Sequence, residues 1–249
     1  MKKLATIILL YGLLLSNNFS YSQGIIGKNI IKWNLSALAL SQYSIQYERV
    51  LALNRSYAIG FGISPDVELP FKTELLDRFG GNSDARHAIE STRFTKITVT
   101  PEYRFYMSKN APKGFYVATF IRYTNMLLSS NYPFTTNSGV QHNPHVEGKF
   151  SGVGGGAMIG TQFLLGPSMV LDLWIVGPFI GIMNASFHGT DDMSDMTDAD
   201  KAKLESDIES VNVPLWKVDA TVGNNVIDVK LKGPFYGVRL AGVSFGFRF

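Results

Sequence analysis

Residues 94–107 read FTKITVTPEYRFYM. The odd positions from Ile97 are Ile97, Val99, Pro101, Tyr103, Phe105 and Met107. The even ones from Lys96 are Lys96, Thr98, Thr100, Glu102, Arg104 and Tyr106. Successive side chains of a strand point to opposite faces, so this stretch has one apolar and one charged face. A charged face meets either water or the polar interior of a barrel. The alternation is the same in both cases, so it does not say which face is turned inward.

The same split recurs on both sides of this stretch. Tyr43, Ile45 and Tyr47 oppose Gln42, Ser44, Gln46 and Glu48, and Ile31, Trp33 and Leu35 oppose Lys32, Asn34 and Ser36. Downstream, Val117, Ile121 and Tyr123 oppose Ala118, Arg122 and Thr124, and Val243, Phe245 and Phe247 oppose Gly242, Ser244 and Gly246. Residues 163–183 are long enough for a membrane helix, but they carry Asp172 at the centre and prolines at 167 and 178. A central Asp costs about 2.5–3.5 kcal/mol in a spanning helix. Gly166-Pro167-Ser168 reads better as a turn between two strands. Eight strands are therefore predicted, at 30–38, 42–51, 57–64, 94–107, 115–127, 149–164, 169–183 and 236–249. Past the first hairpin, short connections alternate with long ones at 65–93, 131–147 and 184–235, as in outer-membrane barrels. One helix is expected in the last loop, capped by Thr197, with Leu204, Ile208 and Val211 on one stripe.

Residues 1–22 are expected to be a cleaved signal peptide ahead of a barrel domain at 23–249. Lys2 and Lys3 precede the apolar run Leu4–Leu15, and Ser20-Tyr21-Ser22 offers small residues for cleavage. Loss of the two lysines takes the formal charge from +3 to +1, so nothing favours nucleic acid as a partner. The chain has no cysteine, which excludes disulfides, thiolate metal sites and a lipid-modified Cys. With 24 Gly, 17 Phe, 11 Tyr and only 17% charged residues, it suits a β-protein with one face in lipid.

Three groups of residues resemble a family of outer-membrane β-barrels of unknown function common in Bacteroidota. They are Lys32-Trp33-Asn34-Leu35 with Gln46-Tyr47-Glu48-Arg49, Pro101-Glu102-Tyr103-Arg104-Phe105-Tyr106 with Gly114-Phe115-Tyr116, and Gly233-Pro234 through Gly237-Val238-Arg239 to Gly246-Phe247-Arg248-Phe249. The resemblance covers most of 28–249. It implies an eight-stranded antiparallel transmembrane barrel, similar in architecture to small OmpA/OmpX-type barrels, and no established activity. Phe249, closing a strand of alternating aromatics, resembles the signal read by barrel-insertion machinery. Outer-membrane lipid and that machinery are the expected partners.

The polar faces gather Lys32, Glu48, Lys96, Glu102, Arg104, Arg122 and Asp172. Eight strands enclose only enough space for side chains, so such charges must pair. The expectation is a structural lumen network, with a narrow ion path as the alternative. His87, His142, His145 and His188 fall in predicted loops. His142 and His145 lack a third metal ligand nearby in sequence, and no cofactor is expected. His188 with Ser186 and Asp191 has the parts of a hydrolase triad, but a triad is defined by geometry. The expected function is a structural or surface-recognition role in the outer membrane, without catalysis. The alternatives are a lipid deacylase or acyltransferase with a rim site, a narrow pore, or a soluble periplasmic lipid-binding barrel.

Overall fold

The computed structural model describes residues 27–81, 83–131, 133–135, 141–192, 196–209 and 215–249. The expected leader, 1–22, lies outside them. The strands are β1 (Asn29–Asn34), β2 (Tyr43–Ala52), β3 (Arg55–Glu68), β4 (Arg93–Tyr106), β5 (Gly114–Asn131), β6 (Phe134–Thr135), β7 (Gln141–His142), β8 (His145–Leu165), β9 (Met169–Thr190), β10 (Lys217–Val222), β11 (Val226–Arg239) and β12 (Gly242–Arg248). The helices are α1 (Lys72–Phe79), α2 (Ser83–Ser91) and α3 (Asp198–Glu209), with a 3-10 turn at Ser36–Leu40.

Ten strands form one antiparallel sheet, and β6 pairs only with β7. The ring runs β9-β12-β1-β2-β3-β4-β5-β8 and closes where β8 pairs β9. Eight strands therefore make a closed barrel. β11 continues the line of β12 along the upper part of β9, and β10 adds to the far edge of β11.

The predicted strands match the ring, but three expectations need correction. Residues 65–93 were expected as loop; they extend β3 to Glu68 and fold α1 and α2. Residues 184–235 were expected as loop with one helix; they also carry β9 to Thr190, all of β10 and most of β11. Residues 131–147 were expected as loop; β5 runs to Asn131, β6 pairs with β7, and β8 starts at His145. Pro234 lies past Lys232, the last residue β10 covers, at an edge where a residue without an N–H is tolerated. The helix at 198–209 forms as predicted: the Asp200 amide donates to Thr197 Oγ1 at 3.2 Å, and the Thr197 amide donates to the Asp200 carboxylate at 3.2 Å. The Thr197 hydroxyl, which donates to the Asp200 carboxylate at 2.7 Å, and the Thr197 amide hold that carboxyl below its usual range. Leu204 and Ile208 are half-buried, whereas Val211 lies outside the described residues. The surface beneath α3 is the open edge of β10. Glu209 accepts from the Ala220 amide at 3.1 Å and Glu205 from the Val222 amide at 3.3 Å, so helix carboxylates occupy strand donors left without a neighbour.

The short turns gather at one rim. Gly166, at φ +75°, turns β8 into β9, a conformation a side chain would disfavour. At the other end β5, β8 and β9, of 18, 21 and 22 residues, rise into a tall wall. At about 3.3 Å per residue, β9 alone runs roughly 70 Å.

Candidate functional site

The even-numbered residues of β1, β4 and β5 face inward, and so do those of β8 up to Gln162. Lys32, Glu48, Glu102, Arg104, Gln162 and Asp172 are all at most 1% exposed. The outward face is the reverse. Trp33 is 55% exposed, Ile121 57% and Ile180 69%, with Phe61, Phe115, Phe163, Tyr236 and Phe247 similarly open. The buried charges therefore sit inside beside a small cluster of Phe120, Met158 and Trp174, and a belt of large apolar side chains faces out, the reverse of a water-soluble surface.

Five of the seven expected lumen charges converge. The Lys32 ammonium donates to Glu48 at 2.6 Å and to Asp172 at 2.6 Å. Arg104 donates to Asp172 at 2.7 Å and to Glu102 at 2.7 Å, and lies 3.5 Å from Glu48. Two tyrosines finish the lone pairs: Tyr106 donates to Glu48 at 2.7 Å and Tyr116 to Asp172 at 2.8 Å. Ser56 donates at 2.5 Å to the same Glu48 oxygen as Tyr106, opposite the one Lys32 holds. Gln162 accepts from both Lys32 and Arg104.

Lys96 and Arg122 stand apart. Lys96 lies six residues above Glu102 on β4, about 20 Å along the strand, over the Phe94 ring. Arg122 donates to Thr100 at 3.3 Å and stacks near Phe179. Neither joins an ion pair among the described residues. A sixth partner was not foreseen. Arg239 donates to Glu102 at 2.6 Å, giving three cations (Lys32, Arg104, Arg239) for three carboxylates (Glu48, Glu102, Asp172). Strict alternation with the inward Gly242 and Ser244 would turn Arg239 outward. Two outward residues in succession, Leu240 and Ala241, reset the phase, and Ile175 with Val176 does the same on the facing strand. The Trp174 indole donates to the Leu240 carbonyl at 2.9 Å and holds this paired irregularity together.

Above the charge cluster the interior narrows to a water-sized gap of about 50 Å³ lined by Gln42, Thr98, Thr100, Arg122 and Arg239 among others. Inward glycines of β8 admit rings from nearby strands: Gly152 faces Phe235 of β11, Gly154 faces Phe179 of β9 and Gly160 faces Tyr116 of β5. At the level of Glu48, Glu102 and Asp172 the interior is filled by three cations and three carboxylates, while Lys96 and Arg122 lie above it.

The remaining candidates lie at the upper wall. The His188 Nδ1 is 2.7 Å from Asp228 on the adjacent strand, not beside Asp191; Asp191 accepts from the Asn143 amide at 3.0 Å. The His142 side chain lies outside the described residues, and no cluster of three metal-binding side chains occurs among the described ones. His87 is on α2. Phe249 is 50% exposed, and its backbone exchanges both hydrogen bonds with Asn29, at 2.9 and 3.1 Å. No protein-family model, no curated protein and no solved structure matches this chain.

Proposed function

We propose that this chain is an integral outer-membrane β-barrel with a sealed lumen, which presents its tall polar wall and helices α1–α3 at the cell surface. The observation that carries the reading is the reversed polarity of the two faces. Three carboxylates and three cations are buried inside, while Trp33, Phe61, Ile121 and Ile180 project outward. In water such a surface would expose a contiguous apolar belt; in lipid it is the stable arrangement. A closed ring also satisfies the requirement that every backbone donor within a bilayer be paired. Residues 1–22 would direct export, Phe249 would be read by the insertion machinery, and the role is structural or one of surface recognition.

The reading is tested by folding the full chain from urea into detergent micelles and comparing boiled with unboiled samples by cold electrophoresis. Closed barrels resist unravelling without heat, so a mobility shift on boiling is expected. Fractionation of expressing cells should place the chain with outer-membrane lipid. Identical migration, or recovery in the soluble periplasm, overturns the reading.

A further inference from the structure

We propose that Ser129, His145 and Asn131 form a serine-nucleophile centre that cleaves acyl esters at the membrane surface. The assignment of an acyl-lipid substrate rests on the membrane reading above; the catalytic set does not. Ser129 and Asn131 are two residues apart on β5 and share its outward face. In the β5–β8 register His145 lies directly opposite Asn131 and one step diagonal to Ser129. That diagonal is within reach of an imidazole. The His145 Nδ1 is 2.9 Å from Asn131 Oδ1, and Nε2 is 3.3 Å from Ser129 Oγ. The Asn131 carbonyl can only accept, so Nδ1 carries the proton and Nε2 is left to accept from the serine hydroxyl. A base held in this tautomer by a third side chain is the arrangement that activates a serine.

Access and position fit the chemistry. His145 is exposed and Ser129 half-buried, so the hydroxyl is reachable. Ser129 lines an outer groove of about 310 Å³ with Leu127, Arg93 and Lys149. Leu127 is 50% exposed and Tyr123 lies further down the same face, so an acyl chain along the apolar belt would bring its ester to Ser129. Arg93, opposite Ser129 in the β4–β5 register, is held by Asp66 at 2.9 Å, and Glu147 lies opposite Ser129 on β8, so Lys149 in the same groove is the residue placed to supply positive charge beside the carbonyl oxygen. The His188–Asp228 pair on the same wall has no hydroxyl bonded to its Nε2 among the described residues, so it lacks a nucleophile.

In the reaction Ser129 Oγ attacks the ester carbonyl carbon while its proton passes to His145 Nε2. Collapse of the tetrahedral intermediate breaks the C–O bond to the alcohol, which takes that proton and leaves. Water, deprotonated by His145, then attacks the acyl-serine; the fatty acid departs and Ser129 regains its proton. Asn131 is a positioning residue, acting through the imidazole.

The test uses the full chain folded in micelles, with folding verified by the heat-dependent mobility shift. A fluorophosphonate probe followed by peptide mass mapping should place a single adduct on Ser129. The wild type should release fatty acid from phosphatidylethanolamine in mixed micelles, and Ser129→Ala should lower that turnover by roughly a thousandfold. Asn131→Asp sets a carboxylate against Nδ1, which favours imidazolium and moves the acid limb of the rate profile to higher pH; a merely structural asparagine would leave that limb in place. Heat-shifting protein without an adduct at Ser129, or ester hydrolysis that survives Ser129→Ala, overturns the proposal while the barrel reading stands. An adduct at Ser129 in a chain that shows no heat shift supports the triad and counts against the barrel alone.

Discussion

Arg104 on β4 and Asp172 on β9 meet at 2.7 Å across the lumen, three strands apart around the ring. Lys32 on β1 reaches the same carboxylate from the other side at 2.6 Å. Asp172 thus braces three separated strands against one another, and the bracing lies at the same level as the tyrosines that fill the remaining space. A barrel wall has no hydrophobic core of its own between its strands and lipid. The polar network, with Phe120, Met158 and Trp174 packed beside it, takes over that role, and Gln162 Nε2 is the one side-chain atom of the Lys32–Arg104 cluster that is buried without a partner among the described residues.

Asp172→Ala removes one acceptor shared by Lys32, Arg104 and Tyr116 and leaves two buried cations short of a partner. Breaking a buried pair from one side typically costs about 3–5 kcal/mol. Urea titrations of folding into micelles should show a loss of that size. A change below about 1 kcal/mol, the range of exposed ion pairs, would mean that water reaches the cluster.

Because the cluster occupies the lumen, wild-type protein in planar bilayers should give no steady conductance. Glu102→Gln loosens both Arg104 and Arg239 and should lower stability without opening a path. Selective openings in the wild type that disappear in Glu102→Gln, at unchanged stability, would show that these charges line a conduit.

Ile121→Lys tests the outward face. Ile121 is 57% exposed, so in a water-soluble barrel the change would fall within about 0.5 kcal/mol. In a bilayer the same cation at mid-depth costs roughly 2–4 kcal/mol. Lipid-vesicle folding titrations separate these outcomes, and a neutral result argues for water on that face.

Gly160→Ala should be destabilising although alanine suits a strand no worse than glycine. A Cβ at Gly160 would lie 2.5 Å from the Tyr116 ring, whose hydroxyl donates to Asp172. Moving the ring forfeits that bond, and overpacking of this kind costs about 1–3 kcal/mol. Gly160→Ala with Tyr116→Phe should show non-additive losses in the same titration, because the two sites share one contact.

Much of this architecture was legible in the chain. Period-two alternation located the strands of the ring and placed Lys32, Glu48, Glu102, Arg104 and Asp172 on matching faces. Thr197 with Asp200 marked the start of α3. Residues 65–93 were harder to read: α1 and α2 are only 8 and 9 residues long, too short for helical periodicity to emerge from a polar loop. β10 and most of β11 fall within 184–235, the stretch read as the longest loop.

The sequence by itself determined which residues share a face, because alternation is a local property of each strand. It left open which face is the inside, since turning the sheet over preserves every alternation. Only the closed sheet decided that, by burying the charges together and leaving Trp33, Ile121 and Ile180 outside. Partnership was also settled in three dimensions. Arg239 joined the cluster because outward residues in succession at Leu240 and Ala241 shifted the phase of its strand. Ser129 and His145, sixteen residues apart, met only through the β5–β8 register. Register and bulges depend on how whole strands pair around the ring, and no single strand carries that information in its own pattern.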